Sequence, residues 1–141
     1  TETVAARYYG STTTIGTGLT TIIPPTKDYD THGAYNASTG QFTAPVSGLY
    51  RASAAILGPS LSWVASEALA GSVFINAAQH TDLFNVYAQA TYTGRMGAQG
   101  SATFRLLAGD AVLFKMSQRS SAAIDVTNSY LDYFMIERVG N

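Results

Sequence analysis

The chain has 141 residues, 46% of them hydrophobic and only 12% charged, with eight Lys and Arg against nine Asp and Glu for a net charge of -1. That length supports one domain with a full core and excludes most multidomain enzymes, while the near balance of charge leaves no basic field for nucleic acid or an anionic membrane. No cysteine is present, which excludes disulfides, thiolate zinc sites and cysteine nucleophiles, and there are two histidines.

A soluble surface ordinarily carries about a quarter to a third of its residues as Lys, Arg, Glu and Asp. Either neutral polar groups solvate this chain or part of its outside is covered, and its Thr, Ser and Gly content supplies the first. No run of roughly 18 or more apolar residues offers a membrane span, so no membrane insertion is expected. Thr1 to Gly10 lacks the apolar stretch of a signal peptide, and an opening Thr fits either loss of an initiator Met or a domain of something longer.

In chain order, strands are predicted at Ala5 to Gly10 and Thr20 to Pro24. A hairpin follows over Tyr35 to Phe42, turned by Asn36-Ala37-Ser38-Thr39-Gly40, then a strand from Gly48 to Leu57. Leu61 to Ala70, behind Pro59 and Ser60 and ended by Gly71, carries the one helix signal, worth a turn or two. Strands come next at Ser72 to Ala78 and Asn85 to Met96. Gly94 to Gly100 reads as a flexible loop, since it lacks the Lys-Thr or Lys-Ser of a phosphate cradle. Ala102, Phe104 and Leu106 alternate with Ser101, Thr103 and Arg105, and Ala108-Gly109-Asp110 turns them into Val112, Phe114 and Met116 as a second hairpin, with Gly109 supplying positive φ. A last strand covers Tyr130 to Val139. The spacing predicts an all-β, single-domain chain over 1–141 with about ten strands.

A strand with one wet side alternates apolar and polar residues. Two strands depart from this. In the last, Tyr130, Phe134 and Ile136 line one face and Leu131, Tyr133, Met135 and Val139 the other. In Gly48 to Leu57, Tyr50, Ala52, Ala54 and Ile56 share a face with Leu49, Ala55 and Leu57 opposite. One sheet is therefore expected to be covered outside as well as inside, by another subunit. Which face meets the subunit is left open, because a one-residue shift inverts it.

The segment from Tyr35 to Tyr50, with Gly40, Phe42, Pro45 and Gly48 at fixed offsets, resembles the signature of the globular head of complement component one-q. Phe74-Ile75-Asn76 is similar to that family's mid-domain strand. The run Ala102, Phe104, Leu106, Gly109, Asp110, Val112, Phe114 is similar to its Gly-Asp turn. The resemblance implies a two-sheet, ten-stranded jelly roll of the tumour necrosis factor type, a homotrimer with the sheet of the N- and C-terminal strands at the threefold axis. Ala44 stands where the family often has Cys, and Tyr133 where Gly is usual. With no collagen-like stalk ahead of it, the chain resembles the divergent versions on bacterial spores and phage virions.

Catalysis finds little support. His32 and His80 lie near no Gly-x-Ser-x-Gly elbow. Asp28, Asp30 and His32, or His80 with Asp82, could each be drawn as a metal corner, but each reads as a solvated loop following a turn, without a complete ligand set. Asn36-Ala37-Ser38 fits a glycan acceptor that a tight turn explains equally. Asp82 and Asp125 are of the kind that holds calcium in the family, without a spacing that identifies a site. No cofactor is implied.

The sequence thus predicts a non-catalytic homotrimer on a virion or extracellular surface, as the distal head of a phage tail fibre or a surface adhesin recognising a host receptor or glycan. A decoration protein on the phage capsid shell is the alternative within binding proteins, and a glycan-degrading enzyme the alternative from another class. The trimer interface is expected at Tyr8, Leu49, Leu57, Tyr133 and Met135. Ligand contacts are expected in the loops Gly58 to Trp63, His80 to Asp82, Gly94 to Gln99 and Arg119 to Asp125, through Trp63, His80, Asp82, Arg95 and Arg119.

Overall fold

The computed structural model describes residues 2–10, 12–16, 18–58, 60–118, 124–127 and 132–141. Among them the chain forms fifteen strands and no helix: β1 Ala5–Tyr9, β2 Thr12–Ile15, β3 Thr20–Thr21, β4 Thr26–Asp30, β5 Tyr35–Asn36, β6 Gln41–Thr43, β7 Gly48–Leu57, β8 Leu61–Trp63, β9 Ala68–Ile75, β10 Ala78–Tyr87, β11 Tyr92–Gly94, β12 Gly97–Leu106, β13 Ala111–Gln118, β14 Ile124–Thr127 and β15 Tyr133–Gly140. One sheet has five strands in the order β12, β7, β15, β1, β4. The other has six, in the order β10, β9, β13, β6, β5 with β3 also on β13, and β11 with β8 and β14 with β2 form short pairs. The all-β jelly roll is as expected. The strand total exceeds ten because segments as short as β3, β5, β8 and β11 carry too few residues for a periodic pattern to show.

Alternation builds the core between the sheets. On β7, Tyr50, Ala52, Ala54 and Ile56 are buried; on β13, Val112, Phe114 and Met116 are. Aromatic pairs bridge the sheets: Phe114 stacks on Phe134 at 5.7 Å, Tyr8 meets Tyr35 at 4.2 Å, and Phe42 meets Tyr50 edge-on at 6.0 Å. Each such ring contributes about 1.5–3 kcal/mol by leaving water. At one side the sheets nearly touch, for a Cβ on Gly100 of β12 would lie 1.8 Å from the Leu83 carbonyl oxygen of β10.

The motif residues earn their places as turn chemistry. The Asn36 carbonyl accepts the Thr39 and Gly40 N–H groups at 3.2 and 2.8 Å, its side chain accepts Ser38 N–H at 2.8 Å, and Gly40 takes φ +76°. Tyr35 and Phe42 pair across this hairpin. After the bend at Pro45, Gly48 admits the Arg138 side chain, which a Cβ would meet at 2.5 Å, and Tyr50 donates to the Val46 carbonyl at 2.7 Å. Asn76 and Ala77 both have positive φ, the two-residue geometry that matches strand twist between β9 and β10. The Asn76 side chain then ties two distant motifs together: its Nδ2 donates to Asp110 Oδ1 at 2.9 Å and its Oδ1 accepts Ala111 N–H at 3.0 Å. That amide and the Leu107 N–H hold the Asp110 carboxyl below the usual range.

Four expectations are corrected. Leu61 to Ala70 is strand, turn and strand instead of helix, an arrangement that buries both Trp63 and Leu69. Residues 101–116 turn at Gly109, φ +95°, but form no hairpin: β12 pairs with β7 and β13 with β6, β9 and β3, so the chain changes sheets at the turn. Alternation on both flanks cannot say which sheet each strand joins. The predicted strand Asn85 to Met96 divides between β10 and β11, and the predicted loop Gly94 to Gly100 lies mostly within β11 and β12. Of the expected last strand, residues 130 and 131 fall outside the described residues, and β15 begins at Tyr133.

Candidate functional site on the sheet faces

Register fixes what the outer face of the five-stranded sheet displays. Tyr133 lies opposite Ala55, Met135 opposite Ser53 and Glu137 opposite Arg51, while Tyr9 and Arg7 of β1 face Tyr133 and Met135. Leu49 and Leu57 share this face by the parity of β7 and are half-buried, as are Tyr133 and Met135. Most of the charges here are paired within the chain, while Arg105 of β12, opposite Leu49, is exposed at one border of the face. The Arg7 guanidinium sits 4.8 Å from the Tyr133 ring and 3.1 Å from Asp28, and Arg51 donates twice to Glu137 Oε1, at 2.6 and 3.2 Å. Tyr29 O–H donates to Met135 Sδ at 3.3 Å, and burial, then the Glu137 charge, raises its phenol. Two hollows flank the Ala55–Tyr133 pair: one of about 300 Å³ lined by Ser53, Gln99, Ser101 and Tyr133, one of about 550 Å³ lined by Ala55, Leu57, Val86 and Gly97.

Tyr8 does not belong to this face. It is 7% exposed, points into the sandwich against Tyr35, and donates its hydroxyl to Asp30 Oδ2 at 3.1 Å. Burial first, then the Asp30 charge, raises its phenol. Asp30 also accepts the Ala34 and Tyr35 N–H groups at 3.0 Å each, so it organises the loop behind β4. Arg7 and Tyr9 stand outside where Tyr8 was expected. Ala, Tyr and Tyr around a single Arg gave the alternation only one polar marker, and Arg7 is that marker.

The expected ligand contacts do not converge. Trp63 is 1% exposed and donates Nε1–H to the Gly94 carbonyl at 3.1 Å, a core residue that no ligand reaches. His80 and Asp82 are on β10, not in a loop. A register shift between Gln79 and Thr81 takes His80 off the ladder, with its ring edge-on to Phe104 at 5.7 Å, while Asp82 accepts hydrogen bonds from Ser72 and from Gln79, at 2.5 and 3.2 Å. Arg95 is exposed between β11 and β12. Arg119 lies outside the described residues.

His32 bonds Glu2 at 2.7 Å and Thr31 at 2.8 Å. Among the described residues no group of three or more His, Asp or Glu could hold a metal ion. One acid stands apart: Asp132 is 0% exposed, accepts Leu57 N–H at 2.8 Å through Oδ1, and finds no partner for Oδ2 among the described residues. Burial pushes its carboxyl up, against the opposing effects of Leu57 N–H and the Arg95 charge.

The other outer face escaped sequence reasoning. On the six-stranded sheet, Tyr87 lies opposite Ala68, and Asn85 and Ser117 lie on either side of Ala70. With Ser66 these residues line a groove of about 270 Å³. The signal was present in Asn85-Val86-Tyr87, where a half-buried Val separates two exposed residues on one side of a strand.

Two antiparallel sheets with the N- and C-terminal strands adjacent at the centre of one, and a chain that crosses between sheets at a Gly-Asp turn, define a jelly roll of the tumour necrosis factor and complement type. The chain belongs to the C1q domain family, whose sequence profile matches residues 11–134. Such domains are typically non-catalytic binding modules found outside the cell. No curated protein matches the sequence. Among solved structures, murine APRIL at pH 5.0 is similar with a TM-score of 0.68 at 12% identity, covering 98% of this chain and 100% of that one. The globular domain of zebrafish complement 1qA gives 0.64 at 15% identity over 99% and 100%, and the Eiger tumour necrosis factor of S. frugiperda 0.61 at 11% over 100% and 95%.

Proposed function

We propose that this C1q domain is a homotrimeric, non-catalytic head that recognises a receptor or glycan on a host surface, as the distal part of a phage tail fibre or a surface adhesin. The observation that carries the assembly is the outer face of the five-stranded sheet. Its central strands β7 and β15 present Leu49, Ala55, Leu57, Tyr133 and Met135, and the hollows beside Tyr133 offer concave surface for a neighbour's side chains. Around that patch Arg7, Arg51, Asp28 and Glu137 are already paired, so another copy packed over β1, β7 and β15 meets few unpaired charges, with Arg105 of β12 exposed at the border. Three heads on one axis raise avidity for a repetitive surface by orders of magnitude over one site.

Native mass decides the assembly. The wild-type chain reads as three copies by light scattering. Tyr133→Lys, which sets a second cation against Arg7, reads as one copy with the strand content of the wild type by circular dichroism. An acid at 133 is the poorer probe, because Arg7 would neutralise it. A wild-type chain that is monomeric and folded at micromolar concentration sinks the proposal.

A further inference from the structure

We propose that the groove on the outer face of the six-stranded sheet, lined by Ser66, Ala68, Ala70, Asn85, Tyr87 and Ser117, binds an uncharged pyranose unit of a glycan. The proposal deepens the reading of the domain as a receptor- or glycan-binding head and rests on it.

Three strands build the groove. The methyl groups of Ala68 and Ala70 on β9 form a low floor, with Tyr87 and Asn85 of β10 on one side and Ser117 of β13 on the other. Ser66 closes one end, held in the left-handed backbone region at φ +78° with its N–H on the Ala88 carbonyl at 2.8 Å. A volume of about 270 Å³ suits one or two sugar rings better than a peptide segment.

The chemistry of the lining selects the ligand class. Tyr87 is 62% exposed, and an aromatic face carries negative charge density that attracts the C–H groups on the apolar side of a pyranose. The Asn85 amide offers two donors and an acceptor, and the Ser117 and Tyr87 hydroxyls one donor each with acceptor lone pairs, the pattern that adjacent sugar hydroxyls need. Among the described residues none of these three side chains spends its hydrogen bonds inside the protein.

The rest of the same face behaves differently. Further along it, Ser72, Gln79 and Asp82 bond one another and Lys115 sits 4.8 Å over the Phe74 ring. Bonding capacity is therefore left open at the groove and closed beside it. Among the described residues no Lys, Arg, His, Asp or Glu lines the groove, so none of them balances a phosphate, sulfate or uronate there, and two alanine methyls give no depth for an aliphatic chain.

The test is binding of the intact protein, in its native assembly, to immobilised neutral glycans (glucans, mannans and galactans) beside sialylated and uronate-containing ones. The wild type binds at least one neutral glycan. Tyr87→Ala and Asn85→Ala each weaken that binding by about tenfold or more, while Tyr87→Phe keeps most of it through the ring face. Both residues face water, so thermal midpoints of all three variants stay at the wild-type value and separate lost binding from lost fold. Neutral-glycan binding that survives Tyr87→Ala and Asn85→Ala overturns the groove and leaves the head function standing. Binding confined to acidic glycans also overturns it. Binding to no glycan by an intact trimer overturns both the groove and the glycan half of the proposed function, leaving a protein receptor.

Discussion

The two outer faces of this sandwich come from the same alternation of side chains and present opposite chemistry. On the five-stranded sheet the centre of the face is apolar and the charges beside it are paired within the chain, at Arg7 with Asp28 and Arg51 with Glu137, with Arg105 exposed at the β12 border. On the six-stranded sheet the groove end is polar, and Asn85, Tyr87 and Ser117 hold unspent hydrogen-bonding groups. A surface that has satisfied its own polar groups loses little when another protein covers it, whereas one with free donors and acceptors gains most from a ligand that supplies partners. The contrast is what supports the proposal of assembly on one face and recognition on the other, and a trimer built on the first would leave the second outward.

The comparison can be broken from the inside. Phe134 of β15 stacks on Phe114 of β13 and so joins the two sheets. Phe134→Ala is expected to lower unfolding stability by about 3–5 kcal/mol in denaturant titration, and to abolish assembly and ligand binding together. A change confined to one face separates them. If the five-stranded face assembles, the wild-type thermal midpoint rises with protein concentration and that of Tyr133→Lys does not, because only association links folding to concentration. Asp132 gives a smaller effect with a defined sign. Its folded carboxyl titrates above the ordinary value of 3.8, so the folded state holds the proton more tightly than the unfolded chain. The contribution of this group to stability is then greatest below 3.8 and is lost as pH rises through the raised folded value. Asp132→Asn keeps an acceptor for Leu57 N–H and removes that loss, so denaturant midpoints followed upward from pH 3.8 stay flatter than in the wild type; an identical slope in both proteins dismisses the role. Smallest of all is Arg51→Ala. Its pair with Glu137 is half in water, and exposed pairs contribute about 0–1 kcal/mol, so monomer stability should barely change.

How much was legible depended on whether local chemistry decided the question. The limits of β7, the Asn36 to Gly40 turn and the positive φ at Gly109 follow from residues acting on their own backbone. The Phe74-Ile75-Asn76 and Gly109-Asp110 motifs looked separate in sequence and proved to be two halves of one hydrogen-bonded link. Partner choice was beyond local chemistry. The alternation in β12 and β13 shows two strands and a turn, yet their partners, β7 for the first and β9, β6 and β3 for the second, lie far away in sequence. Trp63 shows the same limit in a site: a lone Trp reads as a platform or a core residue until its neighbours are known, and the Gly94 carbonyl beneath its indole N–H decides for the core. The groove was missed because its residues come from three strands and none of them carries a charge or a metal-ligand pattern.

The low charge of the chain looks different once the residues are placed. Of few ionic groups in all, Lys27, Asp28 and Asp30 fall within the five residues of β4, the exposed outer strand of the five-stranded sheet, where a register shift between Arg7 and Tyr8 also breaks the regular ladder. An outer strand offers a row of unpaired N–H and C=O groups to any other strand that approaches. Charge and irregularity at that border make sideways growth of the sheet past β4 unfavourable, so some of the few charges the chain has lie where strand-to-strand joining would otherwise compete with face-to-face packing.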